Sequence, residues 1–137
     1  MFRASESRGA AAKRLLPMVL LMSALCACKP PGYVPPPGVV LLGDGRLNQY
    51  VVVDPINMAP TDTGTLRAWS RIENRTTAKL PLLARFAFVG AQNQPVEPAP
   101  GWSRLFVEAG GSVVFEGLSM NSRAQHTALE IKLDTGS

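Results

Sequence analysis

Apolar positions along this 137-residue chain fall into one long run near the start and a series of short ones after it. The long run is Leu15 to Leu25 (LLPMVLLMSAL), eleven residues in which only Pro17 and Ser23 depart from the pattern. It is too short to cross a bilayer as a helix, which takes about 20 apolar residues. The later runs have the period of strands. Tyr50 to Val53 (YVVV) is β-branched and is halted by Asp54-Pro55. Thr65 to Glu73 alternates, with Leu66, Ala68, Ser70 and Ile72 on one side and Arg67, Trp69, Arg71 and Glu73 on the other. That period of two marks a half-buried strand. Leu80 to Val89 (LPLLARFAFV) is apolar on both faces, interrupted by Arg85, and reads as a central strand. Gly90 to Gly101 holds Pro95, Pro98 and Pro100 and reads as loop. Ser103 to Val107, Ser112 to Leu118 and Thr127 to Leu133 supply three more strands, with Gly110-Gly111 turning between the first two. Val39 to Leu42 reads as a short edge strand stopped by Gly43-Asp44-Gly45, and only Ser119 to Gln125 has room for a turn of helix. Six to seven short strands at regular spacing predict an all-β, antiparallel sandwich.

The residues around the long run change what the chain is expected to be. Arg3, Arg8, Lys13 and Arg14 precede it against a single acid, Glu6. A basic segment, a short apolar segment and small residues at its end form a secretory signal. The run closes on Leu25-Cys26-Ala27-Cys28, which resembles the lipobox of bacterial lipoproteins. In that pattern Leu25 and Ala27 are read by the signal peptidase and Cys28 is the modified cysteine. Cleavage before Cys26 would put Leu25 where the peptidase needs a small side chain. The resemblance implies diacylglyceryl transfer to the Cys28 thiol, a cut before it, and acylation of the new amino group. Each buried methylene contributes about 0.8 kcal/mol, so two or three chains hold the protein at the membrane. Lys29, next to the lipid site, is not the aspartate that favours inner-membrane retention, which points to the outer membrane, facing the periplasm.

Three segments follow: a signal peptide over 1–27, a lipid anchor and Pro-rich tether over 28–48, and a β-sandwich over 49–137. The tether holds Pro30, Pro31, Pro35, Pro36 and Pro37, a density that favours extended polyproline II. Charge is redistributed by the cut. Of 14 basic and 10 acidic residues, four bases and one acid lie in the leader, leaving ten and nine. The basic balance therefore belongs to the leader and makes no case for nucleic acid. Cys26 leaves with the leader and Cys28 carries lipid, so the domain has no disulfide. About 110 residues remain, enough for one small domain with its own core.

From Leu47 to Leu133 the order of residues resembles the YcfL-like family of periplasmic lipoproteins, a poorly characterised family. The resemblance rests on the lipobox, a strand with Val51 and Val53, and Ile72-Glu73-Asn74-Arg75-Thr76 closing the next strand. It continues through Arg85-Phe86-Ala87-Phe88, a turn at Gly90 to Gln94, and Trp102 before the last strands. Gly90 and Asn93 stand where the family's turn has Asp and Gly. The resemblance implies an immunoglobulin-like β-sandwich on a lipid anchor, with the cell-wall machinery as a conceivable neighbourhood.

Chemical sites are mostly absences. His126 is the only histidine, so a transition-metal site lacks its usual ligands, and no cofactor is implied. Gly117-Leu118-Ser119-Met120-Asn121 begins like a nucleophile elbow but lacks its second glycine. No Gly-Lys-Ser/Thr phosphate cradle occurs, and Asn74-Arg75-Thr76 matches a glycosylation sequon only by chance. The reading is non-enzymatic. One surface is a candidate for partner binding: Arg67, Trp69 and Arg71 point together from one strand, and Arg85 joins them if the next strand pairs as a hairpin. Exposed Trp between two guanidinium groups has the composition of an interface hot spot. The competing expectation covers Trp69 with a loop or the tether, the arginine stems lying across it. Trp102, after a Pro-Gly pair, is expected as a core plug. The functional expectation is a lipid-anchored adaptor with an envelope protein partner, or with peptidoglycan as its ligand. The alternative is a structural accessory of a multi-protein envelope assembly, such as a secretion system or the cell-wall synthesis machinery.

Overall fold

The alternation of the sequence becomes two packed faces in the computed structural model, which describes residues 33–43 and 45–136. In chain order the elements are β1 (Val39–Leu41), the helical turn α1 (Leu47–Tyr50), β2 (Val51–Val53), β3 (Asn57–Pro60), β4 (Leu66–Asn74), β5 (Leu80–Val89), β6 (Ser103–Val107), β7 (Ser112–Leu118) and β8 (His126–Leu133). The first sheet has the order β1-β8-β5-β6. In the second, β4 pairs with β7 on one side and with β2 and β3 on the other. The chain passes from one sheet to the other after β1, β4, β6 and β7, so consecutive strands often face each other across the core. All pairs are antiparallel except β1 with β8, which run parallel.

β5 sits in the interior of the first sheet, and its burial alternates without a break. Leu80, Leu82, Ala84, Phe86 and Phe88 point inward, while Pro81, Leu83, Arg85, Ala87 and Val89 point outward. The inward set meets Val51, Val53, Ala68 and Ile72 from the second sheet, with Leu129 and Ile131 beside it on β8. A large side chain so buried contributes about 1.5–3 kcal/mol. Phe86 bridges the sheets, its ring stacked on that of Phe115 at 5.4 Å with 6° between the planes.

Two strands share the far edge of β4. β2 pairs Val53 with Ile72, and β3 pairs Asn57 with Trp69, so the edge spends four steps where β4 spends three. The extra residue is a β-bulge, placed at Asp54-Pro55-Ile56 where proline cannot donate to the ladder. Ser70 Oγ donates to the Asp54 carbonyl at 2.7 Å across this break.

The structure differs from the tether expectation over residues 33–42. β1 pairs with Leu129 to Ile131 of β8, and Val39 is buried in the core. Tyr33 Oη donates to the Val53 carbonyl at 3.0 Å and accepts from the Val53 amide at 2.9 Å. Burial pushes the Tyr33 phenol up from its ordinary value of 10.0; the Val53 bond opposes this and the Asp54 charge adds to it. Pro35, Pro36 and Pro37 lead directly into a strand on the sandwich, while Pro30 and Pro31 lie outside the described residues.

Candidate binding face

On the outer face of the second sheet, β4 presents Arg67, Trp69 and Arg71 in a row. Their side chains point away from the core because Leu66, Ala68, Ser70 and Ile72 occupy it. The register with β7 sets Leu118 opposite Arg67, Glu116 opposite Trp69 and Val114 opposite Arg71. Arg67 is held twice: its Nε donates to Glu116 Oε2, and its guanidinium carbon lies 4.4 Å from the centroid of the Trp69 ring. Arg71 Nε donates to Asp54 Oδ2 at 3.2 Å. Both ion pairs are about half exposed, so each contributes little to stability. Trp69 is half-buried, with the Arg67 guanidinium over its ring. Val114 and Leu118, which sequence reasoning did not single out, are 64% and 56% exposed. The signal for them was present in the alternation of Val114, Glu116 and Leu118 against Val113, Phe115 and Gly117.

Arg85 does not join this row. β4 and β5 lie in different sheets, so the loop between them is a crossover and not a hairpin. On the outer face of the first sheet Arg85 Nε donates to Glu130 Oε1 at 2.6 Å. Its guanidinium carbon lies 4.2 Å from the centroid of the Trp102 ring, and Lys132 Nζ lies 4.4 Å from the same point. Trp102 is accordingly no core plug. It lies half-buried over two cations that rise from β5 and β8, where the ring quadrupole is attracted to both. A depression of about 340 Å³, lined by Leu42, Leu83, Lys132 and Asp134 among others, adjoins this cluster. His126 is exposed at the start of β8. Leu25, Ala27 and Cys28 lie outside the described residues.

Asn74, the first residue of the sequon match, is fully buried at the end of β4. Its Nδ2 donates to the carbonyls of Ala78, Val107 and Glu108 at 2.8, 2.9 and 3.2 Å. Its Oδ1 accepts from the Thr76 amide and hydroxyl at 2.8 and 2.7 Å. The side chain thus fixes the crossover that separates Arg71 from Arg85.

No family model matches this chain, and no curated protein does. Among solved structures it is similar to Campylobacter jejuni Cj0090, with a TM-score of 0.56 and 19% identity over 71% of this chain and 98% of that one. It is similar also to a member of the DUF1425 family from Shewanella sp. pv-4, with a TM-score of 0.57 and 20% identity over 64% of this chain and 81% of that one. DUF1425 is the family of the YcfL-like lipoproteins. At these identities the likeness is one of fold.

Proposed function

We propose that this chain is a lipid-anchored adaptor of the bacterial envelope, held at the outer membrane by acyl chains on Cys28. It presents the outer face of the second sheet to a protein partner and carries out no chemistry of its own. The observation that carries this reading is the face itself. Arg67, Trp69 and Arg71 stand beside Val114 and Leu118, two exposed aliphatic side chains that the fold does not use. Apolar side chains next to Trp and Arg are the composition found at the centre of protein interfaces. Membership of the DUF1425 family is part of the same proposal, supported by the sequence resemblance and by the shared fold.

Capture from membranes by the intact lipoprotein tests it, comparing the native chain with the double variant Trp69→Ala, Arg71→Ala. Arg71 is exposed and Trp69 lies half-buried on the outer face, outside the core, so both contribute less to folding than a core residue, whereas a hot-spot residue contributes about 2 kcal/mol or more to association. The expected outcome is loss of one stoichiometric protein partner with nearly unchanged melting. A variant that melts much earlier and still captures the partner assigns Trp69 to packing, and retention on peptidoglycan alone assigns the face to glycan.

A further inference from the structure

Each sheet has two edges, and three of the four are guarded against pairing with another chain. β1 is only three residues long and follows Pro35, Pro36 and Pro37. The β2/β3 edge is broken by its bulge and carries Pro55 and Pro60. β6 is five residues long and bears Arg104. Short strands, bulges, prolines and cations are the devices by which edges are blunted. β7 has none of them. It runs seven residues in one unbroken register with β4, without proline, lysine or arginine. Its one charged residue, Glu116, is already bound to Arg67.

The hydrogen bonds settle which backbone groups face outward along this edge. The Asn74 amide donates to the Gly111 carbonyl, and the Ser119 amide donates to the Leu66 carbonyl, each at 2.8 Å. Hydrogen-bonded pairs alternate along an antiparallel ladder. Val113, Phe115 and Gly117 therefore direct their amides and carbonyls at β4. Ser112, Val114, Glu116 and Leu118 direct theirs at the open edge, where none has a partner among the described residues. The same four residues carry the outward side chains.

We infer that β7 is a pairing edge for a second copy of this chain, antiparallel and centred on Phe115. A pairing so centred sets Ser112 against the second copy's Leu118 and Val114 against its Glu116. All four outward residues of each copy then take part, giving about eight hydrogen bonds between copies. Moving the centre to Glu116 sets two carboxylates directly opposite each other, which is destabilising. Moving it to Val114 leaves Leu118 beyond the end of the partner strand. On the inner face the two Phe115 rings become cross-strand neighbours, and Val113 of one copy lies opposite Gly117 of the other. The second sheet becomes six strands wide and brings two copies of the Arg67-Trp69-Arg71 row onto one surface.

Photo-crosslinking of the full chain in its own envelope tests this. A photoreactive phenylalanine analogue replaces Leu118 in a chain co-expressed with two different tags, and Val40 on the opposite edge of the sandwich serves as the control position. The expected product is an adduct that carries both tags, formed from position 118 and not from position 40. Val114→Pro and Val114→Lys should each abolish it. The first removes only an amide that faces the open edge, and the second adds the cation that guards other edges. Adducts with other proteins alone, or none, overturn the inference; so does a two-tag adduct that survives both variants. If either variant fails to fold, the contrast between positions 118 and 40 in the otherwise native chain still decides.

Discussion

A Cβ placed on Gly117 would lie 3.1 Å from Cβ of Phe86 and only 2.7 Å from its Cδ2, a distance closer than side chains approach one another. Gly117 belongs to β7 and Phe86 to β5, so the missing side chain is what lets the two sheets close around the stacked Phe86 and Phe115 rings. Phe86 is fully buried and cannot swing aside without opening the core. Gly117→Ala should destabilise the protein by about 1–3 kcal/mol, the ordinary cost of overpacking, although alanine normally strengthens a strand relative to glycine. Chemical denaturation measures it, and adding Phe86→Leu should recover part of the loss if the contact is the cause.

A chain that begins at Leu47 should be less stable than one that begins at Tyr33. It lacks β1, which pairs with β8, and it lacks the buried Val39 and both bonds from Tyr33 to Val53. Burial of one valine and two net hydrogen bonds together set the expected difference at roughly 2–4 kcal/mol. Equal urea midpoints for the two chains would show that residues 33–46 only drape over the domain.

The strands that the sequence disclosed are those whose own residues decide them. β5, β6 and β7 begin and end where their patterns do, because each is bounded by proline, glycine or a polar loop. β3 was missed: Asn57-Met58-Ala59-Pro60 has no β-branched residue, and it becomes a strand only because β4 offers it an edge. α1 is a single turn, too short for a helical period to show, and Tyr50 was read as strand. The outward row of Arg67, Trp69 and Arg71 on β4 was legible from alternation alone. Arg85 was misplaced because sequence shows that a loop exists but not whether it joins neighbours or crosses between sheets. Trp102 was misplaced for a related reason. It lies just before β6 and is held by cations about seventeen and thirty residues away, pairings that only the folded sheet creates.

Stability should fall at alkaline pH partly through Tyr33. Its phenol is raised in the folded protein, first by burial and then by Asp54. The unfolded chain loses that proton near pH 10 while the folded chain retains it, so the folded state binds more protons above that point. Stability then declines as pH rises through about 10. Tyr33→Phe should be less stable at neutral pH by about 1 kcal/mol and should show a shallower decline between roughly pH 9.5 and 11. An unchanged slope would place the alkaline sensitivity elsewhere.

Anchoring is expected to depend on one cysteine of two. Cys28→Ala should abolish lipidation and alter processing of the precursor, whereas Cys26→Ala should leave both intact. Metabolic labelling with a palmitate analogue reads this directly. Label that persists in the Cys28→Ala protein removes the anchor from the proposed function and leaves the sandwich unaffected.

Asn74 offers the sharpest test of how the crossover is held. Asn74→Ala leaves the carbonyls of Ala78, Val107 and Glu108 without their donor and the Thr76 amide without its acceptor. Each buried group so stranded costs about 1–3 kcal/mol, and partial access of water brings the expected total to roughly 2–4 kcal/mol. Asn74→Asp is nearly the same size but puts a second oxygen where the donor stood. Ionised, it faces three carbonyl oxygens with no hydrogen to offer them, and with its burial these should raise its folded pKa above the usual carboxylate value of about 3.9, against the two Thr76 donors, which lower it. The unfolded chain then releases its proton first as pH rises, and the penalty relative to the native chain grows from about pH 4 upward. Protonated, one O–H restores a single donor and the penalty shrinks. Denaturation at pH 4 and pH 7 should therefore show Asn74→Asp closer to the native chain at the lower pH, while Asn74→Ala shows the same deficit at both. Parallel behaviour of the two variants would mean that the side chain fills space at the crossover and that its hydrogen bonds contribute little.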